Sequence, residues 1–147
     1  MKMDHFIEEA IKEAQIGLSE GGIPIGAVLV HQDKIIGRGH NRRIQKNSAI
    51  LHGETDALEN AGRQKASIYR DCVMYTTLSP CIMCSGTILL YGIRQVVVGE
   101  NRNFLGAEDL LRQNGVMVDV LQNDRCIKMM ESFIKEKPML WNEDIGK

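Results

Sequence analysis

The stretch QVVVGE, residues 95–100, sets the first limit on the fold. Its run of valines reads as a short strand with no polar face, the kind that is buried on both sides of a sheet. Such a strand needs helices above and below it, and the rest of the chain supplies them in alternation.

The N-terminal segment predicts an amphipathic helix with Ile7, Ala10, Ile11, Ala14 and Leu18 on its apolar stripe. Asp4 is placed to cap it and Gly21-Gly22 to stop it. IGAVLV, the turn HQDK and IIGRGHN then read as a hairpin. GETDALENAG is helical and ends at Gly62, and CVMYTTL is the next strand. A helix follows with Pro80 in its first turn and Gly92 at its close. After QVVVGE come the helix AEDLLRQNG, the strand VMVDVL and the helix DRCIKMMESFIKE, ended by Pro138. This order, α-β-β-α-β-α-β-α-β-α, predicts an α/β fold with a central mixed, mostly parallel five-stranded sheet between helical layers.

At 147 residues the chain fits a single domain able to bury a core without staples. The formal net charge of -1 argues against a nucleic-acid partner, because Arg42, Arg43 and Lys46 form only a small basic cluster. The acids scattered through MKMDHFIEEAIKEAQIG exclude a secretory or transit segment, and no apolar run reaches the length of a membrane span. A cytoplasmic location is expected. There the four cysteines would be reduced, which favours metal or catalytic use over disulfides.

Chemistry concentrates in two short segments. In LHGETDAL, His52 and Glu54 stand two apart, a spacing that does not place both on one helical face. In SPCIMC, Cys81 and Cys84 stand three apart at the start of a helix and share a face. The exposed N–H groups of a helix N-terminus favour thiolate, the form that binds metal. Two thiolates and one imidazole make a three-ligand zinc set, one Zn2+ per subunit, that leaves a fourth position for water. Zinc lowers the pKa of that water from about 16 to about 7. Glu54 is then the residue to move the proton, beside the metal rather than on it. An H-x-E followed by P-C-x-x-C is the signature of zinc deaminases.

Other readings stand beside this one. C-x-x-C alone also serves redox pairs and structural zinc sites, but the latter need a second ligand pair, and Cys72 and Cys126 stand apart. Those two read as packed small hydrophobes, His5 and His31 as surface residues, and Met83, Met129 and Met130 as core or interface filler. Asn41, after His40 at the end of a strand, reads either as a turn residue or as a substrate contact.

Taken together, EGGIPIGAVLV, GRGHN, LHGETDALENAGR, YTTLSPCIMCSG, YGI, VVVGENRNF and WNEDIG resemble the small zinc-dependent cytosine deaminases of the fungal type, within the cytidine deaminase-like superfamily. The resemblance covers nearly the whole chain. It implies a three-layer α/β/α sandwich and a homodimer. His52, Cys81 and Cys84 would hold zinc, and Glu54 would shuttle protons. The Asn41 side chain and the Gly53 N–H would bind the ring carbonyl of the base. Leu78, Ser79 and Asp144 would lie near its exocyclic amine, and Ile25, Phe104, Trp141 and Ile145 would form an apolar cover. The tail PMLWNEDIGK, residues 138–147, would otherwise read as a frayed end; the resemblance makes it a lid over the site.

The expected reaction is hydrolytic deamination of free cytosine to uracil and ammonia by zinc-bound hydroxide, a pyrimidine-salvage step. Alternatives are a deaminase of guanine, isocytosine or a related cyclic amidine, and a tRNA adenosine deaminase, a class that usually carries H-A-E. A non-enzymatic zinc-stabilised binding module is the alternative of a different kind.

Overall fold

The computed structural model describes residues 2–147. The valines of β4 (Gln95–Val98) are fully buried on both faces, as their composition requires. Val96 and Val98 pack with Met74, Ile88 and Leu111 on one side, and Val97 packs with Phe6, Val28 and Tyr75 on the other.

The remaining strands are β1 (Gly26–His31), β2 (Lys34–His40), β3 (Cys72–Thr76) and β5 (Met117–Val120), giving the sheet order β2-β1-β3-β4-β5. β1 runs antiparallel to both β2 and β3, while β3, β4 and β5 are parallel. The sheet is mixed as expected, with β1 the reversed strand. Gln32 and Asp33 make the β1–β2 turn with φ of 49° and 63°, the left-handed pair that suits a tight hairpin. HQDK as a whole is therefore not the turn: His31 and Lys34 belong to the strands.

One layer holds α1 (Lys2–Ser19) and α6 (Asp124–Glu136), joined by the Arg125–Glu8 ion pair. The other holds α2 (Gly53–Ala61), α3 (Ala66–Arg70), α4 (Ile82–Tyr91) and α5 (Glu108–Gln113), which supply Ala57, Tyr69, Ile88 and Leu111 to the core. The three layers and five strands agree with the sequence reading.

Several local expectations need correction. Asp4 lies inside the first turn of α1 instead of capping it. Leu18 is 45% exposed, because the buried stripe of α1 runs through Phe6, Ile7, Ala10, Ile11 and Ala14 and then meets Gly17. α4 begins after Pro80, with Cys81 as its N-cap. The short α3 was not expected. Pro138 ends α6 only by opening another helix, α7 (Pro138–Asp144), where its fixed φ and missing N–H suit the first turn. No helix among the described residues is long and apolar enough to cross a membrane.

Candidate active site

The reversed β1 gathers the site. Gly26 pairs with His40 and Ala27 with Thr76, so the start of β1 lies beside the ends of β2 and β3. Residues that enter β1 (Ile25) or leave β2 (Asn41), β3 (Leu78, Ser79) and β4 (Glu100 to Phe104) therefore share one edge. Thr77 ties this edge together: its hydroxyl accepts from the Gly26 N–H at 3.1 Å, and its own N–H donates to the Gly26 carbonyl at 3.0 Å. Open α/β sheets present ligand sites at such carboxyl ends.

Two helix N-termini meet there. His52 is the N-cap of α2, and Cys81 is the N-cap of α4 with Cys84 three residues on. His52 Nδ1 lies 3.4 Å from Cys81 Sγ and 3.7 Å from Cys84 Sγ, and the three ligand atoms all fall within 4.8 Å of one another. Tetrahedral zinc, with Zn–N and Zn–S bonds near 2.0 and 2.3 Å, sets nitrogen and sulfur roughly 3.6 Å apart. The donor set and its spacing fit that ion.

The thiols are unequal. A hydrogen bond with Cys84, followed by one with His52, holds Cys81 down at about 4, against the opposing effect of burial. The same contact with Cys81, together with burial, pushes the Cys84 thiol well up. Burial disfavours a charged His52 ring, but Cys81, Asp144 and Glu54 outweigh it and raise its pKa. On its far side His52 Nε2 faces Asp144 Oδ1 at 3.5 Å, the carboxylate partner that fixes the orientation of a metal-binding imidazole.

Glu54, in the first turn of α2, is 3% exposed and stands outside the ligand group. Burial, and then the negative Cys81, raise its carboxyl to about 7. A cation in the triad acts in the opposite direction. A carboxyl able to exist in both forms near neutrality suits proton transfer.

A narrow cavity of about 20 Å³ lies over these groups, lined by Ile25, His52, Glu54, Leu78, Ser79, Cys81, Phe104, Trp141, Asp144 and Ile145. Trp141 packs edge-to-face on Phe104, with ring centroids 5.8 Å apart, and both join a cluster with Ile25, Leu78 and Ile145. Asn41 is fully buried, and its amide donates to Asp144 Oδ1 at 2.9 Å. Gly53 opens α2, where its N–H has no partner within the helix. A Cβ there would sit 3.2 Å from the Ile25 carbonyl and 3.3 Å from its Cγ2, so glycine permits the close packing of Ile25.

The structure thus brings every expected site residue to one place, with Asn41 and Gly53 behind the cavity lining. Ser79 differs in detail: it lines the cavity, but its hydroxyl donates to Glu108 Oε2 at 2.6 Å. The basic cluster is also largely spent internally. Arg42 Nε donates to Asp56 at 3.0 Å, and Arg43 lies 3.7 and 3.8 Å from Glu143 and Asp144.

Buried acids were the residues the sequence reading missed. Buried Glu13 and the exposed Glu20 bracket the two ring nitrogens of buried His40 at 2.9 and 2.8 Å, directly before Asn41. Glu108 and Glu100 are buried under the loop that carries Phe104. Glu13 left one signal, an acid beside Ala14 on an otherwise apolar stripe.

Comparison with known proteins agrees with this geometry. Residues 1–100 match the family model described as the cytidine and deoxycytidylate deaminase zinc-binding region. The chain is 59% identical over 141 residues to a cytosine deaminase of Candida albicans, covering 95% of this chain and 94% of that protein. It is 36% identical over 145 residues to a tRNA-specific adenosine deaminase of Streptococcus pyogenes, covering 90% and 89%. Among solved structures, one from a study of tRNA:A34 deaminases superposes with a TM-score of 0.69 at 27% identity, over 87% of this chain and 98% of that one. A guanine deaminase from Nitrosomonas europaea shares the fold, with a TM-score of 0.72 at 19% identity over 87% and 82%. The chain is a zinc-dependent deaminase and belongs to the cytidine and deoxycytidylate deaminase family.

Proposed function

We propose that the protein hydrolyses free cytosine to uracil and ammonia. The observation that carries the choice of a free base is α7, which lays Trp141 and Asp144 across the metal triad and leaves a cavity of about 20 Å³. That is room for about one water, and a cleft of about 540 Å³ adjoins it at His52, Cys81, Phe104, Asp144 and Ile145. A cover that shifts to admit a base and closes again over it would leave a sugar-bearing substrate outside. The 59% identity to the Candida albicans cytosine deaminase supports cytosine among the free bases.

His52, Cys81 and Cys84 would hold the zinc, which when bound makes a water nucleophilic near neutral pH. Glu54 takes the proton of the attacking water and passes it to the ring nitrogen beside the amino-bearing carbon. A second transfer through Glu54 moves the proton of the newly added hydroxyl to the amino group, so that the carbonyl of uracil forms as the C–N bond breaks and ammonia leaves. Asn41 and the Gly53 N–H orient the ring carbonyl, and Asp144 and the backbone of Leu78 and Ser79 receive the exocyclic amine. Ile25, Phe104, Trp141 and Ile145 exclude bulk water, which strengthens each of these interactions.

The whole chain works as one deaminase domain, with residues 138–147 as its cover. It functions in the cytoplasm, where the ligand thiols stay reduced. The working form is a homodimer. Ile82 and Leu90 on α4 are 68% and 73% exposed, and Leu105 nearby is 66% exposed, an apolar surface that a second copy would cover.

The test is turnover by the purified zinc protein of cytosine, cytidine, guanine, adenine, isocytosine and an adenosine-bearing tRNA stem-loop, followed as base conversion and ammonia. Cytosine should be converted and the nucleoside and RNA left intact. Rapid conversion of another member with none of cytosine overturns the assignment.

A further inference from the structure

The Ser79 hydroxyl is occupied twice. It donates to Glu108 Oε2 at 2.6 Å and accepts from the Gly106 N–H at 2.9 Å. Both Ser79 and Glu108 are buried. The other carboxylate oxygen of Glu108 accepts from Asn101 Nδ2 at 3.3 Å and lies 3.5 Å from Arg112 Nη1. The loop after β4 is therefore fastened to the segment between β3 and α4. Gly106 lies flush on that segment, since a Cβ there would stand 2.0 Å from the Pro80 carbonyl, and the Ala107 N–H donates to that carbonyl at 3.0 Å. Phe104, two residues before Gly106, is the loop's contribution to the cover and meets Trp141 edge-to-face.

A buried carboxylate is costly to desolvate and is retained where its hydrogen bonds are used. Glu108 does not line the cavity, yet it holds the serine that does and the loop that carries one half of the roof. We propose that Glu108 and Ser79 are positioning residues that pin Phe104 against Trp141 and so set how tightly the cover closes over the base. This inference rests on reading α7 as the cover.

Trp141 is the only tryptophan in the chain, so its emission reports on the roof without any substrate. The experiment compares zinc-loaded wild type, Ser79→Ala, Glu108→Ala, Glu108→Gln and the Ser79→Ala/Glu108→Ala double variant. It measures acrylamide quenching of Trp141, KM and kcat for cytosine, zinc content and far-UV circular dichroism. Either alanine variant should raise the quenching constant about twofold and KM about tenfold, the size of a lost buried charge-assisted hydrogen bond, with kcat changed less than about threefold. The double variant should be no worse than the worse single one, because both break one linkage. Glu108→Gln keeps an acceptor for the Ser79 hydroxyl and should stay nearer wild type. Folded, zinc-bound Ser79→Ala with wild-type quenching and KM overturns the proposal, as do additive effects in the double variant. Ser79→Ala removes a single oxygen atom and decides the matter if Glu108→Ala fails to fold. Should wild type leave cytosine untouched, the substrate assignment fails while the quenching series still judges the pin.

Discussion

Glu54 illustrates what two residues of spacing do. His52 caps α2 and turns its Nδ1 to the thiols, while Glu54, a half-turn on, reaches the cavity without joining the ligands. Glu54→Gln should keep its zinc, because no ligand changes, and lose about 10²- to 10⁴-fold in turnover, the usual contribution of a positioned acid–base group. Metal analysis beside kcat checks this; near-normal turnover contradicts the role. Asp144 makes a different contribution, since it touches both His52 Nε2 and Asn41 Nδ2. Asp144→Ala should cost about 10- to 100-fold in kcat/KM, the range for groups that orient a metal ligand. Steady-state kinetics with cytosine tests it, and an unchanged value would remove Asp144 from the site. The metal residues and Glu54 were legible in sequence because their chemistry imposes short, local spacings. Glu13 and Glu108 were not, because the partners that justify burying them lie far along the chain.

At the scale of elements, α4 carries two duties. Its N-terminus presents Cys81 and Cys84, and Ile88 on its inner face packs under Val96 and Val98. Ile88→Ala should therefore lower stability by about 2–5 kcal/mol through lost burial and a residual cavity. Urea unfolding of the zinc-bound protein measures the loss, and a change below about 1 kcal/mol would mean that the site collapses freely. The strand and helix order was readable because β4 is apolar on both faces and the helices carry periodic stripes. The exit from α6 was not. Pro138 is a stop signal for the preceding helix and an equally good start for the next, and only the packing of Trp141 against Phe104 and Leu78 makes α7 worth forming.

For the whole molecule, the two cysteines outside the metal triad link stability to alkaline pH. Burial raises Cys72 to about 11 and Cys126 to about 12, from an ordinary value of 9.0. In the unfolded chain these thiols lose their protons first, so the folded state holds more protons between pH 9 and 12. Their contribution is fully present below pH 9 and is lost as the pH rises through the folded values. Each adds up to about 1.4 kcal/mol per pH unit to the decline. Cys126→Ala should make the fall in unfolding free energy above pH 9 shallower than in wild type; identical slopes would show that Cys126 is not protected from ionisation.

In the proposed function one fold both assembles the triad and covers it with its own C-terminal helix. A competition assay tests that most directly: equimolar cytosine and cytidine are offered together to the zinc-loaded protein, and uracil and uridine are separated and measured over time. A cover that closes over a free base predicts uracil accumulating at least about a hundredfold faster than uridine, because an attached ribose would hold the cover open. Uridine appearing as fast as uracil would contradict it.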